Sequence, residues 1–259
     1  MKVQLLYILL FLGLHLTVNG QSIFIDKALS ANDHKQKNPL FDAINLGFNG
    51  VSAELKLKKN GELYCGNKTL KEVYLEPLKL KSENGLKNIH PKHTDEFIIF
   101  LKIVSDSSST YEALLKEIEP YQNILTSFEG TKRSKKPIRI VIGGNIPYSK
   151  IYNMSKRFLF AEESALKLDF SKDETFTFLA GLSLKTNYKW KGEKNMPNME
   201  YMSLLNYVKN AHKAGRLVRL YDIPELPNAF DILLGSGIDF LEIEDIKSFS
   251  SYWQNRKSN

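Results

Sequence analysis

Asn38-Pro39-Leu-Phe-Asp-Ala-Ile-Asn-Leu-Gly47, then Val51-Ser-Ala-Glu-Leu-Lys-Leu57, then Gly61-Glu-Leu-Tyr-Cys-Gly-Asn67 is the stretch from which the fold is read. Proline is tolerated in the first helical turn because its missing N–H has no intrahelical partner there, and glycine ends helices because it accepts the left-handed conformation. Asn38 as N-cap, Pro39 just inside and Gly47 just past the end therefore predict one short helix. The alternation over residues 51–57 predicts a strand, and Lys59-Asn60-Gly61 predicts the hairpin turn that returns the chain through residues 62–66. A polar loop, Ser30-Ala-Asn-Asp-His34, precedes the helix. In an α/β protein such loop-helix-strand units set polar side chains at the rim where ligands bind.

Moving toward the C-terminus, Thr69-x-x-Glu72 is a capping box opening a segment that Pro77 is expected to interrupt. Residues 96–104 form a continuous apolar run of strand length, the pattern of a parallel strand covered on both faces. Residues 107–110 offer several N-caps for a helix to Ile118, limited by Pro120. Further strands are predicted at 138–144, 157–161, 176–183, 217–221 and 238–242, with helices at 198–214, 228–234 and 246–253. His212, at the end of its helix, is read as a partner of the helix dipole rather than a ligand. About eight strands alternating with helical segments, with no repeat or linker, predict one α/β domain: a single (β/α)8 TIM-type barrel. An open doubly wound sheet is the alternative, disfavoured because no glycine-rich phosphate-binding turn follows the first strand.

Moving toward the N-terminus, residues 1–20 carry Lys2, an apolar run from Leu5 to Leu16, and Val18-Asn-Gly20. This is the pattern of a secretory signal peptide, with an apolar run too short to span a bilayer comfortably. The mature domain is expected to be 21–259, secreted or periplasmic, with no membrane span after cleavage. Removing residues 1–20 takes away one lysine and no acid, so the formal charge of +7 becomes +6. The basic runs at Lys56/Lys58/Lys59 and 132–136 are read as solvated loops, because nucleic-acid binders need charge and aromatics organised on one face. Cys65 is the one cysteine, so no internal disulfide forms, and its alternating context reads as a small buried hydrophobe.

Asn32-Asp33, the run 39–48, Leu70-Lys-Glu-Val-Tyr-Leu-Glu-Pro-Leu78, Thr110-Tyr-Glu-Ala-Leu-Leu-Lys116, Ala211-His-Lys-Ala-Gly-Arg216 and Gly237-Ile-Asp-Phe240 together resemble a known family. It is the phospholipase C-like phosphodiesterase superfamily of TIM barrels, which includes the glycerophosphodiester phosphodiesterases, in its altered-inheritance-of-mitochondria-protein-like branch. The resemblance covers nearly the whole mature chain. It implies metal-assisted phosphodiester hydrolysis, with histidines moving protons and carboxylates holding a divalent cation. Carried over position by position, the family's His-x-His-Asn-Asp falls on Leu29-Ser-Ala-Asn-Asp33, so both histidines are gone. Its Glu-x-Asp pair falls on Ser52-Ala-Glu54, its hairpin histidine on Asn67, and its Asp-x-Lys on Lys102-Ile-Val104. The Asp-Gly-Arg after the fifth strand is matched by Ala161-Glu-Glu163, and an arginine of the family's Gly-Asn-Arg-Pro turn by Ile146.

The expectation is therefore a secreted phosphodiesterase-like barrel that has lost hydrolysis and needs no cofactor. Its mouth would bind an anionic, phosphodiester-like or sugar-like small molecule near Asn32, Asn67, Lys102 and Trp190, where Trp190, in a stretch that resembles a family loop over the site, either offers a stacking platform or simply packs. The alternative is an active phosphoric diester hydrolase acting on a glycerophosphodiester or phospholipid-like substrate with Mg or Ca. Its acid, base and metal-ligand candidates are Asp33, His34 and Glu54. Asn67-Lys-Thr69 and Asn153-Met-Ser155 are glycosylation acceptor patterns, and a glycan on Asn67 is expected to block the mouth.

Overall fold

Eight parallel strands close on themselves in the computed structural model of the chain, which describes residues 23–171 and 175–258. The expected signal peptide lies outside the described residues. The strands are β1 Ala28–Ser30, β2 Gly50–Leu57, β3 Phe97–Ile103, β4 Ile138–Gly144, β5 Leu159–Glu163, β6 Thr177–Ser183, β7 Leu217–Tyr221 and β8 Phe240–Ile243. β1 completes the ring, pairing with β8 through Leu29↔Glu242 and with β2 through Ser30↔Val51. The expected (β/α)8 barrel is the fold.

Alternation along each strand divides the apolar residues between two cores. Ile98 and Phe100 of β3 point inward and pack with Leu29, Val141, Phe160, Leu179 and Phe240. Ile99, Leu101 and Ile103 point outward, under the helices. Burial on both faces is why these strands read as continuous apolar runs.

The helices are α1 Phe41–Asn45, α2 Glu76–Lys81, α3 Ser107–Ile118, α4 Tyr148–Tyr152, α5 Leu184–Asn187, α6 Asn198–Lys213, α7 Pro227–Gly235 and α8 Ile246–Ser258. α1 starts later than Pro39 suggests, because Leu40 adopts φ +67°. Asn38 does not cap it with its own oxygen; the Asp42 carboxylate instead accepts the Asn38 backbone and side-chain N–H groups at 2.9 and 3.1 Å. Gly47, at φ +92°, ends the turn as expected. The capping box forms: Thr69 N–H donates to the Glu72 carboxylate at 2.9 Å and Glu72 N–H to Thr69 Oγ1 at 3.2 Å. Pro77 does not interrupt this segment. A wide π turn over Lys71–Leu75 runs directly into α2, placing Pro77 in the first turn, where its lacking N–H matters least. Asp106, rather than the serines, caps α3 by accepting Ser109 N–H at 2.9 Å. His212 ends α6, and its Nε2 lies 2.7 Å from Asp239 Oδ2.

Two departures matter for the site. The basic run at 132–136 is not wholly loop, because Lys132–Ser134 pairs with Ser127–Glu129, which pairs with Lys156–Arg157, in a small antiparallel sheet. Phe128 of that sheet packs edge-on against Phe160 and helps close the barrel's lower end. In addition, no helix covers the connection from β5 to β6 among the described residues. A buried ion pair serves there instead: Arg216 bonds Glu163 on the outer face of β5 and donates to the Asp169 carbonyl at 2.6 Å, while Glu163 accepts Asp169 N–H at 2.9 Å. Cys65 is buried, and burial pushes its thiol up to about 12, so it stays protonated and behaves as the hydrophobe its context suggests.

Candidate functional site

The C-terminal ends of the strands open into a cavity of about 390 Å³. Period-two geometry decides what enters it. β2 contributes Ser52 and Glu54, β3 Phe100 and Lys102, β5 Glu162, β7 Arg219 and Tyr221, and β8 Glu242. Loops add Asn32, Ser164 and Asp222 at the rim. Asn32 and Asp222 both hold left-handed backbone, at φ +46° and +51°. These two residue types tolerate that region better than most, because their short side chains bond locally. Here Asn32 donates to Glu244 at 3.2 Å, and Asp222 accepts from Ser183 Oγ at 2.6 Å.

The floor is an ion-pair cluster. Arg219 donates through Nε to Glu162 Oε1 at 2.6 Å, through one terminal nitrogen to Glu162 Oε2 at 2.9 Å, and through the other to Glu242 at 2.5 Å. The side chains are 4%, 1% and 12% exposed in the order Arg219, Glu162, Glu242. Burial works against the guanidinium's charge, but the two carboxylates more than offset it and hold the group above its ordinary range. Phe100 and Tyr221 present their rings to the guanidinium carbon, with centroids at 3.9 and 4.5 Å. Ser164 Oγ donates to Glu162 Oε2 at 2.7 Å, and the Tyr148 hydroxyl to the Glu162 carbonyl at 3.0 Å. Nearer the surface, Lys102 Nζ stands 3.7 Å from Glu54 Oε1, with both side chains about half exposed.

Of the residues singled out from sequence, Asn32, Glu54 and Lys102 meet at this cavity; Asp33, His34, Asn67 and Trp190 do not line it. Leu29, in the family's first histidine position, points into the barrel as core. Trp190 is 8% exposed and donates its indole N–H to the Lys194 carbonyl at 2.8 Å, so it packs instead of offering a stacking face. Asn67 is exposed on the hairpin beside the barrel. His34 is half-buried against Gly66, and burial is the largest cause of its lowered pKa.

Asp33 is fully buried, accepting from Ser30 Oγ at 2.8 Å, Leu40 N–H at 2.6 Å and the Tyr74 hydroxyl at 3.0 Å. It ties the β1 loop to α1 and to the π turn. Burial pushes its carboxyl up to about 6 from 3.8, the bonds from Leu40, Ser30 and Tyr74 offsetting only part of the effect. Because the folded value is the higher one, the folded protein keeps a proton that the unfolded chain releases. The resulting stability is fully present below the unfolded value of 3.8 and is lost as pH rises through about 6. The melting temperature of the wild type relative to Asp33→Asn, measured across that window, is expected to fall with rising pH. The shift corresponds to roughly 2–3 kcal/mol.

Sequence reading missed Arg219, Glu242, Tyr221 and Asp222. The available signal was a charge at an inward position of an otherwise apolar strand, as in Leu217-Val-Arg-Leu-Tyr221 and Phe240-Leu-Glu-Ile243. The divalent cation implied by the family resemblance does not fit the residues present. Ser52 stands where the resemblance implies one ligand, Lys102 lies beside Glu54, where it implies the other, and a guanidinium joins Glu162 to Glu242. Among the described residues, no three histidine, cysteine or carboxylate side chains converge on a cation position.

Comparison with known proteins agrees with this architecture. The family model of the AIM6-like phosphodiesterase domain matches residues 20–162, more than half of the chain. Altered inheritance of mitochondria protein 6 from Eremothecium gossypii is 25% identical over 267 aligned positions, covering 86% of this chain and 68% of that protein. A crystal structure of a glycerophosphodiester phosphodiesterase from Parabacteroides distasonis superposes with a TM-score of 0.56 at 12% identity, covering 92% of this chain and 100% of that one. A likeness at that identity speaks to the fold.

Proposed function

Because the chain belongs to the AIM6-like phosphodiesterase domain family, we propose that it is a phosphodiesterase-like barrel that has given up metal-dependent hydrolysis and kept its mouth as a binding pocket. The observation carrying this reading is the Glu54–Lys102 pair, at 3.7 Å. The one carboxylate left at the family's metal position is neutralised by a lysine that stands where the family has an acid. Proton transfer fares no better: Leu29 and Ala31 hold the histidine positions, and His34 and Asp33 lie outside the cavity. A phosphodiester needs its charge balanced and its leaving oxygen protonated, and this lining offers neither.

The lining also bears on the ligand. Glu54, Glu162, Asp222 and Glu242 face the cavity against Lys102 and Arg219, which leaves it net negative. Of the anionic and sugar-like ligands expected from sequence, the neutral, hydroxyl-rich one suits this lining, held by hydrogen bonds that Asn32 and Lys102 donate and the rim carboxylates accept. We place the protein outside the cytoplasm on the pattern of residues 1–20; among the described residues no helix is long and apolar enough to cross a membrane.

The test is an assay of the purified protein on bis(p-nitrophenyl) phosphate with added Mg or Ca. The expected rate equals that of Glu54→Ala. Turnover that survives purification and disappears in Glu54→Ala would overturn the proposal.

A further inference from the structure

The buried carboxylates at the barrel floor already have a cation, and it belongs to the chain. Arg219 meets both oxygens of Glu162 and one of Glu242 within 2.5–2.9 Å, with the rings of Phe100 and Tyr221 against its guanidinium. The neighbouring strands make room for this arrangement. A Cβ at Gly181 of β6 would overlap the Glu162 carboxyl, and one at Gly143 of β4 would overlap the Phe100 ring and come within 3.3 Å of Glu162 Oε2. The cluster is therefore a built feature: two acids, two aromatic faces and two glycines arranged about one guanidinium.

We infer that Arg219 is the resident cation of the barrel floor, balancing Glu162 and Glu242 apart from the Glu54–Lys102 pair, and that a divalent ion can enter between these two acids only when the arginine is removed. A guanidinium suits this office because it is permanently charged, is planar enough to bond a carboxylate bidentately, and stacks on aromatic rings. It differs from a metal in carrying no bound water to activate. Small divalent ions that keep most of their waters need only one or two protein carboxylates, the number Arg219 now engages. This inference goes beyond the loss of hydrolysis, since it concerns the charge of the floor acids and what they could bind once the arginine is gone.

The test uses Mn²⁺, followed by the paramagnetic resonance signal of the free ion and by thermal melts, on the wild type, Arg219→Met and Arg219→Lys. The wild type is expected to leave the free-ion signal unchanged and to melt at one temperature with Mn²⁺ or with a chelator. Arg219→Met is expected to take up Mn²⁺ and to gain melting temperature or refolding yield from it, with affinity at least about tenfold above the wild type. Arg219→Lys retains the charge and should behave as the wild type does. Saturable Mn²⁺ uptake by the wild type that persists in Glu54→Ala would overturn the inference. So would an Arg219→Met chain, folded or not, whose response to Mn²⁺ is no greater than the wild type's. Phosphodiester turnover by the wild type bears on the lost hydrolysis alone, so the two proposals fail separately.

Discussion

Arg219→Met is expected to lower the unfolding free energy by about 3–5 kcal/mol in metal-free buffer at neutral pH. Glu162 and Glu242 are bonded to that one guanidinium, with side chains 1% and 12% exposed. Removing it leaves two largely buried carboxylates without the guanidinium that balances them, and an uncompensated buried charge is strongly destabilising. Glu162→Gln should cost clearly less. It leaves Arg219 bonded to Glu242 as a balanced pair, and the amide can still accept from Arg219. Equilibrium unfolding in urea would measure both, and at roughly 2–4 °C per kcal/mol the arginine variant should melt about 6–20 °C below the wild type. Equal losses for the two substitutions would mean that the cluster is held by shape and not by charge.

Gly181→Ala is the second large effect, about 2–3 kcal/mol of destabilisation from adding one methyl group. The new Cβ would overlap Glu162 Cδ and lie 2.7 Å from Oε2, inside any real carbon–oxygen contact. A flexible glutamate on a surface would swing away. Glu162 is fixed by Arg219 and Ser164 and is flanked on the other side by β4, so the strain passes into the ion pair. Gly235→Ala at the end of α7 is the matched control, because a Cβ there meets nothing within 4 Å. It should be neutral or slightly stabilising, since alanine narrows the unfolded ensemble. Combining Gly181→Ala with Arg219→Met should give less than the sum of the two losses, because both act through the position of Glu162.

The parts of the fold legible in sequence were those set by local chemistry. β3 and β4 announce themselves because parallel strands covered on both faces must be apolar throughout. Asn60-Gly61 and Thr69-x-x-Glu72 place a hairpin and a helix start through bonds made within four residues. Pro77 misled because the cost of proline depends on the turn geometry before it, and a π turn is invisible in residue types. The bare crossover between β5 and β6 was hidden for a related reason. Arg216 replaces a helix there by reaching Glu163, which is 53 positions away in sequence.

The site divides the same way. Asn32, Glu54 and Lys102 were found because the family resemblance marks their positions at the strand ends, and the barrel brings them to one cavity. Residues 188–193 resemble a family loop over the site, which puts Trp190 near the mouth and leaves stacking and packing open; the indole is committed to the Lys194 carbonyl. Asp33 looked like a catalytic acid by residue type and proved to be an internal tie. Arg219 was missed because its meaning lies in partners 57 and 23 positions away, and no local pattern records that they converge. Charge balance at a barrel mouth is a property of the closed ring.

Equilibrium dialysis of the unmodified protein against Mn²⁺, followed by metal analysis, reaches the question most simply. With Lys102 beside Glu54 and Arg219 between Glu162 and Glu242, the expected result is no metal above the buffer blank, in protein that remains folded throughout. One equivalent of Mn²⁺ retained by the wild type and lost in Glu54→Ala would contradict it.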